Sequence, residues 1–179
     1  LQVIVDRAVD AFGGIDVVVN NAATALAQPV GSYTPDAWQK SLDVNLRGPV
    51  FLTQAALPHL KQSEHAAVLN ILSGAAFMFS SFVSMYAVGK AGLLAATRAS
   101  AAELAPFNIR VNAMAPGTVD TDMVRANSPE MLDVMSKVML LQRMADADEM
   151  VGPALMLTSD AGSFITGQVL LVDGGMVPH

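Results

Sequence analysis

The sequence contains no cysteine, and only 15% of its 179 residues are charged, whereas 53% are hydrophobic. Without cysteine the chain has no disulfide scaffold, no thiolate metal site and no cysteine nucleophile. The formal net charge of -6 provides no basic surface that would hold a polyanion, so we expect no nucleic-acid partner. A chain this apolar buries enough surface to offset its ordering entropy, which excludes disorder as its main state.

Neither a membrane span nor a metal site is indicated. Residues 66–89 carry no charge and are long enough to cross a bilayer, but their asparagine and serine side chains would leave polar groups in hydrocarbon. The chain starts with leucine and lacks the basic segment and short apolar run of a signal peptide, so we expect a cytoplasmic protein. His59, His65 and His179 lack the spacing of metal ligands, and we expect no metal.

Short apolar runs rich in valine and isoleucine alternate along the chain with longer stretches of helical character. The runs are residues 15–20, 67–73, 109–115 and 168–173. Nearly unbroken apolar runs are typical of parallel strands that helices cover on both faces. We find no repeat and no linker, so the sequence predicts a single α/β domain over residues 1–179, with a parallel sheet between two helical layers.

The helical stretches carry recognisable start signals. We expect helices near residues 1–12, 36–61, 84–104, 129–144 and 147–158. Thr34 and Ser128, each followed by proline, are typical N-caps, and Asp146 with Glu149 resembles a capping box. The helical segment 85–104 is apolar on nearly every face, so we expect the sheet to cover one side and a second subunit to cover the other.

Three residues could carry chemistry. Tyr86 and Lys90 are four residues apart and therefore share one face of a helix. An ammonium beside a phenol lowers the phenol pKa from about 10, which makes tyrosine a usable acid or base near neutral pH. Ser73 ends an apolar strand at the edge where ligands of open α/β sheets bind, so its hydroxyl could donate to a substrate oxygen. Taken singly, a helical Tyr/Lys pair can arise by chance, and a serine often simply ends a strand.

Other unusual positions fall near the same edge. Asn20 and the pair 116–117 (Pro-Gly) also stand at the carboxyl ends of predicted strands. Pro49 has no N–H group, so the carbonyl of Asn45 loses its helical partner, the helix should kink, and that carbonyl becomes free to bind water. Alternatively, Pro49 merely breaks one long stretch into two helices.

Six separated motifs, in this order, resemble the short-chain dehydrogenase/reductase (SDR) family. They are NNAA (20–23), Asn45, Ser73, YAVGK (86–90), PGTVDT (116–121) and ITGQVLLVDGG (165–175). By this resemblance Tyr86 is the catalytic acid/base, Ser73 binds and polarises the substrate oxygen, and Lys90 lowers the tyrosine pKa and holds the nicotinamide ribose. Asn45 would keep a water through its main-chain carbonyl and so link Lys90 to solvent.

The resemblance also implies NAD or NADP as cofactor. The implied cofactor-binding residues are Asn20, Ala22, Tyr86, Lys90, Pro116, Gly117, Val119 and Thr121. Of these, Asn20 and Ala22 would lie beside the ribose, and Val119 and Thr121 at the nicotinamide carboxamide. The Tyr-x-x-x-Lys spacing resembles the carbonyl reductase and alcohol dehydrogenase branch, whereas the enoyl reductases of the family space this pair more widely.

The chain departs from the family at its start. The family begins with a strand, a glycine-rich turn and a helix that approach the pyrophosphate, but none of the 13 glycines here has G-x-x-x-G-x-G or G-x-G-x-x-G spacing. If residues 15–20 match the family's fourth strand, the first three strands are missing. We therefore expect a fragment of a Rossmann-like, doubly wound fold, with an exposed apolar sheet edge and no residue that selects NAD or NADP.

The implied function is an NAD(P)-dependent oxidoreductase that interconverts a ketone or aldehyde and an alcohol. The alternative is a non-catalytic structural or binding subunit, which the missing glycine turn supports. Residues 75–85, rich in phenylalanine and methionine, would border a small-molecule substrate and favour an apolar ketone, unless they pack at a subunit contact. Residues 123–144 would form a methionine-rich lid. We also expect a homo-oligomer, either a dimer or a tetramer.

Overall fold

The computed structural model describes residues 1–177 and contains one sheet of four parallel strands. In chain order, which is also the spatial order, the strands are β1 (Val17–Asn20), β2 (Ala67–Ile71), β3 (Arg110–Pro116) and β4 (Val169–Val172). The register aligns Val68 with Val18 on one side and with Val111 on the other. The predicted parallel Rossmann-like sheet is confirmed. Strands β1, β2 and β4 are each two residues shorter than their apolar runs, and β3 is as long as its run but starts one residue later.

Helices cover both faces of this sheet. In chain order they are α1 (Gln2–Phe12), α2 (Pro35–Leu42), α3 (Gly48–Leu60), α4 (Ser84–Leu104), α5 (Asp122–Arg125), α6 (Pro129–Lys137) and α7 (Val151–Thr158). On one face, Val18, Val68 and Val111 pack against α1, α3 and α4. On the other face, Leu69 and Met114 pack against Leu157 of α7. The predicted three-layer arrangement is therefore present.

The predicted helix over residues 36–61 is divided by a π-helical turn at Asp43–Arg47. The Gly48 N–H donates to the carbonyl of Asp43, five residues earlier. Pro49 has no N–H to donate to the Asn45 carbonyl, and the wider turn accommodates this gap. The helical path therefore runs on through the wider turn, and Pro49 does not break the stretch.

The predicted helix over residues 129–144 is too long, since α6 ends at Lys137. The following segment instead reaches the loop after β3: the Ala145 N–H donates to Thr118 O at 3.0 Å, and the Asp120 N–H donates to Ala145 O at 2.9 Å. The backbone of Ala145 is thus held by a distant loop, and the chain does not continue as a helix towards it. The predicted helix over residues 147–158 also differs, since it starts as a 3-10 turn before α7.

The predicted helix starts are confirmed. The Thr34 hydroxyl accepts the Ala37 N–H at 3.3 Å, and the Ser128 hydroxyl accepts the Met131 N–H at 3.3 Å. The Asp146 N–H donates to the Glu149 carboxylate at 2.9 Å, as a capping box requires.

Helix α4 has one face on the sheet and an apolar face that is open. Its buried side includes Met85, Lys90, Leu93, Thr97 and Ala101. Its outward stripe consists of Val88, Ala91, Ala95 and Ala99, all exposed, and the exposed Arg98 lies beside it. No helix within residues 1–177 is long and apolar enough to cross a membrane.

Candidate active site

Ser73 stands at the carboxyl edge of the sheet, two residues after β2 ends. Its backbone is extended, with φ -166° and ψ 156°, and its hydroxyl accepts the Ala75 N–H at 3.2 Å. A 3-10 turn over Gly74–Ala76 follows, so the chain leaves the strand abruptly at the serine. This short turn keeps the hydroxyl at the sheet edge where ligands of such folds bind.

Lys90 is buried under this edge. Its side chain is 2% exposed, and Nζ donates to the carbonyl of Ile71 at 2.6 Å. The same Nζ lies 5.6 Å from the centre of the Tyr86 ring, one helical turn earlier. Burial disfavours the ammonium and lowers the pKa of Lys90 to about 8. Lys90 is therefore still mainly protonated at neutral pH but can exchange its proton more readily than an exposed lysine.

Tyr86 lies in the first turn of α4 and faces Ser73. Burial raises the pKa of its phenol, and a hydrogen bond donated by the Ser73 hydroxyl, which favours the phenolate, lowers it by a smaller amount. The net shift is therefore upward, opposite to the lowered pKa expected for Tyr86, because burial outweighs the favourable contact. The Lys90 ammonium donates to the Ile71 carbonyl.

Asn45 is fully buried within the π-helical turn and holds the loop after β1. Its Oδ1 accepts the Thr24 N–H at 3.1 Å, and its Nδ2 donates to the Thr24 carbonyl at 2.8 Å. The turn also lies against α4, because a Cβ at Gly89 would stand only 2.8 Å from the Cβ of Asn45. The absence of a side chain at Gly89 thus lets the π-helical turn pack directly against α4, next to Lys90 in the sequence.

The residues implied in cofactor binding follow β1 and β3. Asn20 is buried, and its side chain bonds to Asn70 of the neighbouring strand. Ala22, two residues after the end of β1, is exposed. Pro116 ends β3, and Gly117 passes so close to β4 that a Cβ there would lie 2.8 Å from the carbonyl oxygen of Asp173. Only glycine allows that approach.

Val119 and Thr121 lie in the loop that follows Gly117, and both are partly buried. Val119 forms a bridge with Ala145, and Thr121 precedes α5 without using its hydroxyl as a cap. That hydroxyl is therefore not committed to the helix.

One buried residue, Asn70, was missed by reasoning from the sequence. It lies in β2, three residues before Ser73, and its amide joins Asn20 to Thr97 of α4. The signal that could have found it is an amide side chain inside an otherwise apolar strand, which needs buried partners. Within residues 1–177, no group of three His, Asp or Glu side chains could hold a metal ion, and His179 lies outside the described residues.

Comparison with known proteins identifies the family. A sequence model described as "Enoyl-(Acyl carrier protein) reductase" matches residues 1–177. A Rhizobium meliloti protein named as a probable galactose dehydrogenase is 37% identical over 96% of this chain and 68% of its own length. Human dehydrogenase/reductase SDR family member 4 is 35% identical over 96% of this chain and 63% of its own length. The chain belongs to the SDR family.

A solved relative supports the same conclusion for the fold. Gluconate 5-dehydrogenase from Burkholderia cenocepacia, in complex with NADP and tartrate, has a TM-score of 0.92 and 31% sequence identity, covering 98% of this chain and 69% of that one. This SDR chain thus spans about two thirds of the length of these relatives. All three are named as dehydrogenases or reductases, so they lend no support to the non-catalytic alternative.

The described residues of this SDR chain fit the nicotinamide end of NAD(P). They offer the buried Lys90 ammonium, an uncommitted Thr121 hydroxyl and a loop at Gly117 that only glycine permits. They include no glycine turn with the spacing of a pyrophosphate cradle. The fit is therefore to the half of the cofactor that NAD and NADP share.

Proposed function

We propose that this SDR chain forms the catalytic part of an NAD(P)-dependent oxidoreductase that interconverts a carbonyl group and an alcohol, with Tyr86 as acid/base. The observation that carries the proposal is the convergence of Ser73, Tyr86 and Lys90 at the carboxyl edge of β2. A phenol that bonds a serine hydroxyl beside a buried ammonium can move a proton to or from a substrate oxygen. NAD and NADP have the same nicotinamide group, so either cofactor would fit these residues.

Each side chain has a definable task in this reaction. In reduction, the Tyr86 phenol gives its proton to the carbonyl oxygen, while the Ser73 hydroxyl donates a hydrogen bond to the same oxygen. Because burial raises the pKa of Tyr86, the phenol is protonated at neutral pH and ready to donate. The bound nicotinamide would supply the hydride in reduction or accept it in oxidation.

The proton lost by Tyr86 must be replaced. Lys90 lies within one helical turn and has a pKa of about 8, so it can pass a proton on near neutral pH. The Asn45 carbonyl, which Pro49 cannot satisfy, would hold a water that connects Lys90 to solvent. This activity requires a compartment that holds NAD(P), which favours the cytoplasm.

The side chains that would border the substrate favour an apolar carbonyl compound. Phe79 and Phe82 are exposed in the segment between Ser73 and Tyr86, and Met123 and Met131 are exposed in α5 and α6. A sugar would require polar partners at these positions, whereas aromatic and thioether side chains suit a ring or an alkyl group. An aryl ketone such as acetophenone is therefore the first substrate to try, with D-galactose as the polar comparison.

A second copy of the chain is the expected partner. The outward stripe of α4, formed by Val88, Ala91, Ala95 and Ala99, is apolar and exposed in the single chain. Small side chains allow two helices to approach closely, so paired α4 helices would bury both stripes. Light scattering during gel filtration should show a dimer or tetramer for the wild type and a smaller species for Ala95→Glu.

The proposed reaction is tested by Tyr86→Phe in the protein expressed from its complete gene. Oxidation of NADPH and of NADH is followed with acetophenone, and D-galactose is tried in the oxidative direction. Tyr86→Phe should lower kcat by about 10²- to 10⁴-fold, as expected for loss of a general acid, while the protein still binds cofactor, which nicotinamide fluorescence checks. Tyr33→Phe is the matched control. Activity retained by Tyr86→Phe, or absence of cofactor binding by the wild type, would contradict the proposal.

A further inference from the structure

A buried chain of hydrogen bonds runs from the carboxyl end of β1 to the middle of α4. Asn20 Nδ2 donates to Asn70 Oδ1 at 2.8 Å, and Asn70 Nδ2 donates to Thr97 Oγ1 at 2.9 Å. All three residues are buried. The Thr97 hydroxyl gives its own proton to the carbonyl of Leu93, 2.7 Å away. Asn70 therefore links the first strand to the helix that carries Tyr86.

Strand β2 holds α4 at a second point as well. The Ile71 carbonyl, one residue after Asn70, accepts the hydrogen bond from Lys90. Lys90 and Thr97 are seven residues apart, so they lie on the same face of α4, two turns from each other. Two consecutive residues of β2 thus bond to the same face of α4, at positions two turns apart along the helix.

We propose that Asn70 and Thr97 are positioning residues, which fix α4 and the Tyr86 phenol relative to Asn20 at the cofactor edge of the sheet. The inference rests on the proposed function, since it assigns both residues to the geometry of that reaction. Neither residue touches the reacting atoms. They act through the placement of the helix.

The reason lies in the direction of the bonds. Apolar contacts, which hold the rest of this helix face, have no preferred direction, whereas a hydrogen bond constrains both a length and an angle. A displacement of about 1 Å at reacting groups can cost a factor of about 10² in rate. If only stability mattered, an apolar side chain would serve at the site of Asn70, because replacing paired buried polar groups by apolar ones is often neutral.

Substitutions at Thr97 separate positioning from stability. Thr97→Val keeps the shape of the side chain and removes the acceptor, whereas Thr97→Ser keeps the hydroxyl. Thr158→Val is the matched control, because the Thr158 hydroxyl donates to the Ala154 carbonyl at 2.8 Å in the same helical geometry but within α7. All variants are made in the protein expressed from its complete gene.

Two readouts are needed, one of them independent of activity. We measure kcat and KM with acetophenone, and we follow ionisation of Tyr86 by phenolate absorbance, as the difference from Tyr86→Phe protein without cofactor. Thr97→Val should lower kcat by about 5- to 10-fold, the effect of about one hydrogen bond, with a smaller change in KM. It should also move Tyr86 ionisation to higher pH, because the phenol shifts away from the Ser73 hydroxyl that lowers its pKa.

Thr97→Ser and Thr158→Val should behave as the wild type in both readouts. A Thr97→Val protein that only melts at lower temperature, with unchanged kcat and unchanged Tyr86 ionisation, would overturn the proposal. If that variant does not fold, Thr97→Cys keeps the volume with a weaker acceptor and should give intermediate values. Activity retained by Tyr86→Phe would instead refute the proposed reaction, while the absorbance titration would still test the link from Thr97 to Tyr86.

Discussion

The centre of the sheet and its β1 edge distribute polar and apolar groups in opposite ways. At the centre, Asn70, Lys90 and Thr97 are buried beside apolar strands, and no buried side-chain polar atom within residues 1–177 lacks a hydrogen-bond partner. At the edge, Val17 is 37% exposed, Val19 is 50% exposed, and Phe12 of α1 is 86% exposed. Polar groups are thus inside where chemistry is proposed, and apolar groups are outside where the sheet ends.

This difference indicates which region is complete within the chain and which region could be covered by another protein surface. Buried polar groups with complete hydrogen bonding hold one arrangement by themselves. An exposed apolar strand edge, in contrast, offers unpaired backbone groups and apolar surface for association. We therefore expect changes at the centre to act on catalysis and changes at the β1 edge to act on association.

After Tyr86→Phe, the largest effect is expected from Ser73→Ala at the centre. Loss of the hydroxyl removes the donor to the substrate oxygen and should lower kcat by about 10²- to 10³-fold. It also removes the bond that lowers the pKa of Tyr86, so ionisation of Tyr86 should move to higher pH. Steady-state kinetics and phenolate absorbance check the two effects. Unchanged kcat would mean that Ser73 merely begins the 3-10 turn.

Lys90→Met should separate catalysis from stability at the centre. The methionine fills the same space without a charge, so the cost of burying an ammonium that has no carboxylate partner is removed. We expect kcat to fall by about 10²-fold, because proton supply to Tyr86 is lost. The melting temperature should be equal or higher. A strong loss of stability would instead make the bond to the Ile71 carbonyl the main role of Lys90.

The pH dependence of stability should reveal the same buried charge. Since the pKa of Lys90 falls from 10.5 to about 8 on folding, the unfolded chain binds more protons between these values. The free energy of unfolding should therefore rise with pH across that window, by about 3 kcal/mol if Lys90 acts alone. Urea unfolding at several pH values measures this rise. Lys90→Met should lack it, and a wild type without it would show that the ammonium is not buried in solution.

The smallest effect is expected at the β1 edge. Val19→Thr adds a hydroxyl on the exposed face and should change the unfolding free energy by no more than about 0.5 kcal/mol. Val18→Thr, the same change one residue away on the buried face, should cost about 1–3 kcal/mol. Chemical denaturation of both variants tests the contrast. Equal losses would show that another surface covers the edge in solution.

Much of the fold was predictable because its signals are local or periodic. The parallel sheet followed from the uninterrupted apolar runs, and the helix starts at Thr34, Ser128 and Asp146 followed from capping side chains within three residues. The end of α6 was not predictable, because the segment after it bonds to distant parts of the chain: Leu141 to Gly174, and Ala145 to the Thr118–Asp120 loop. Pro49 marked an irregular helix but could not distinguish a kink, a break and a π-helical turn.

The candidate site was predictable in its members but not in its electrostatics. The positions of Ser73, Tyr86 and Lys90 could be predicted from motif spacing and strand ends. The direction of the Tyr86 pKa shift could not, because it depends on how far burial outweighs the hydrogen bond from Ser73. Asn70 escaped notice for a related reason: a single amide in an apolar strand has a role only through partners that are distant in the sequence.

The sequence by itself determined the family, the parallel α/β architecture and the identity of the reacting side chains, because these depend on residue types at fixed spacings. The tertiary structure decided the π-helical turn at Asn45, the path after α6, the buried bond from Lys90 to Ile71 and the link from Asn20 through Asn70 to Thr97. These features depend on which groups meet across the sheet and how much water they lose. Neither property is written in the spacing of residues along the chain.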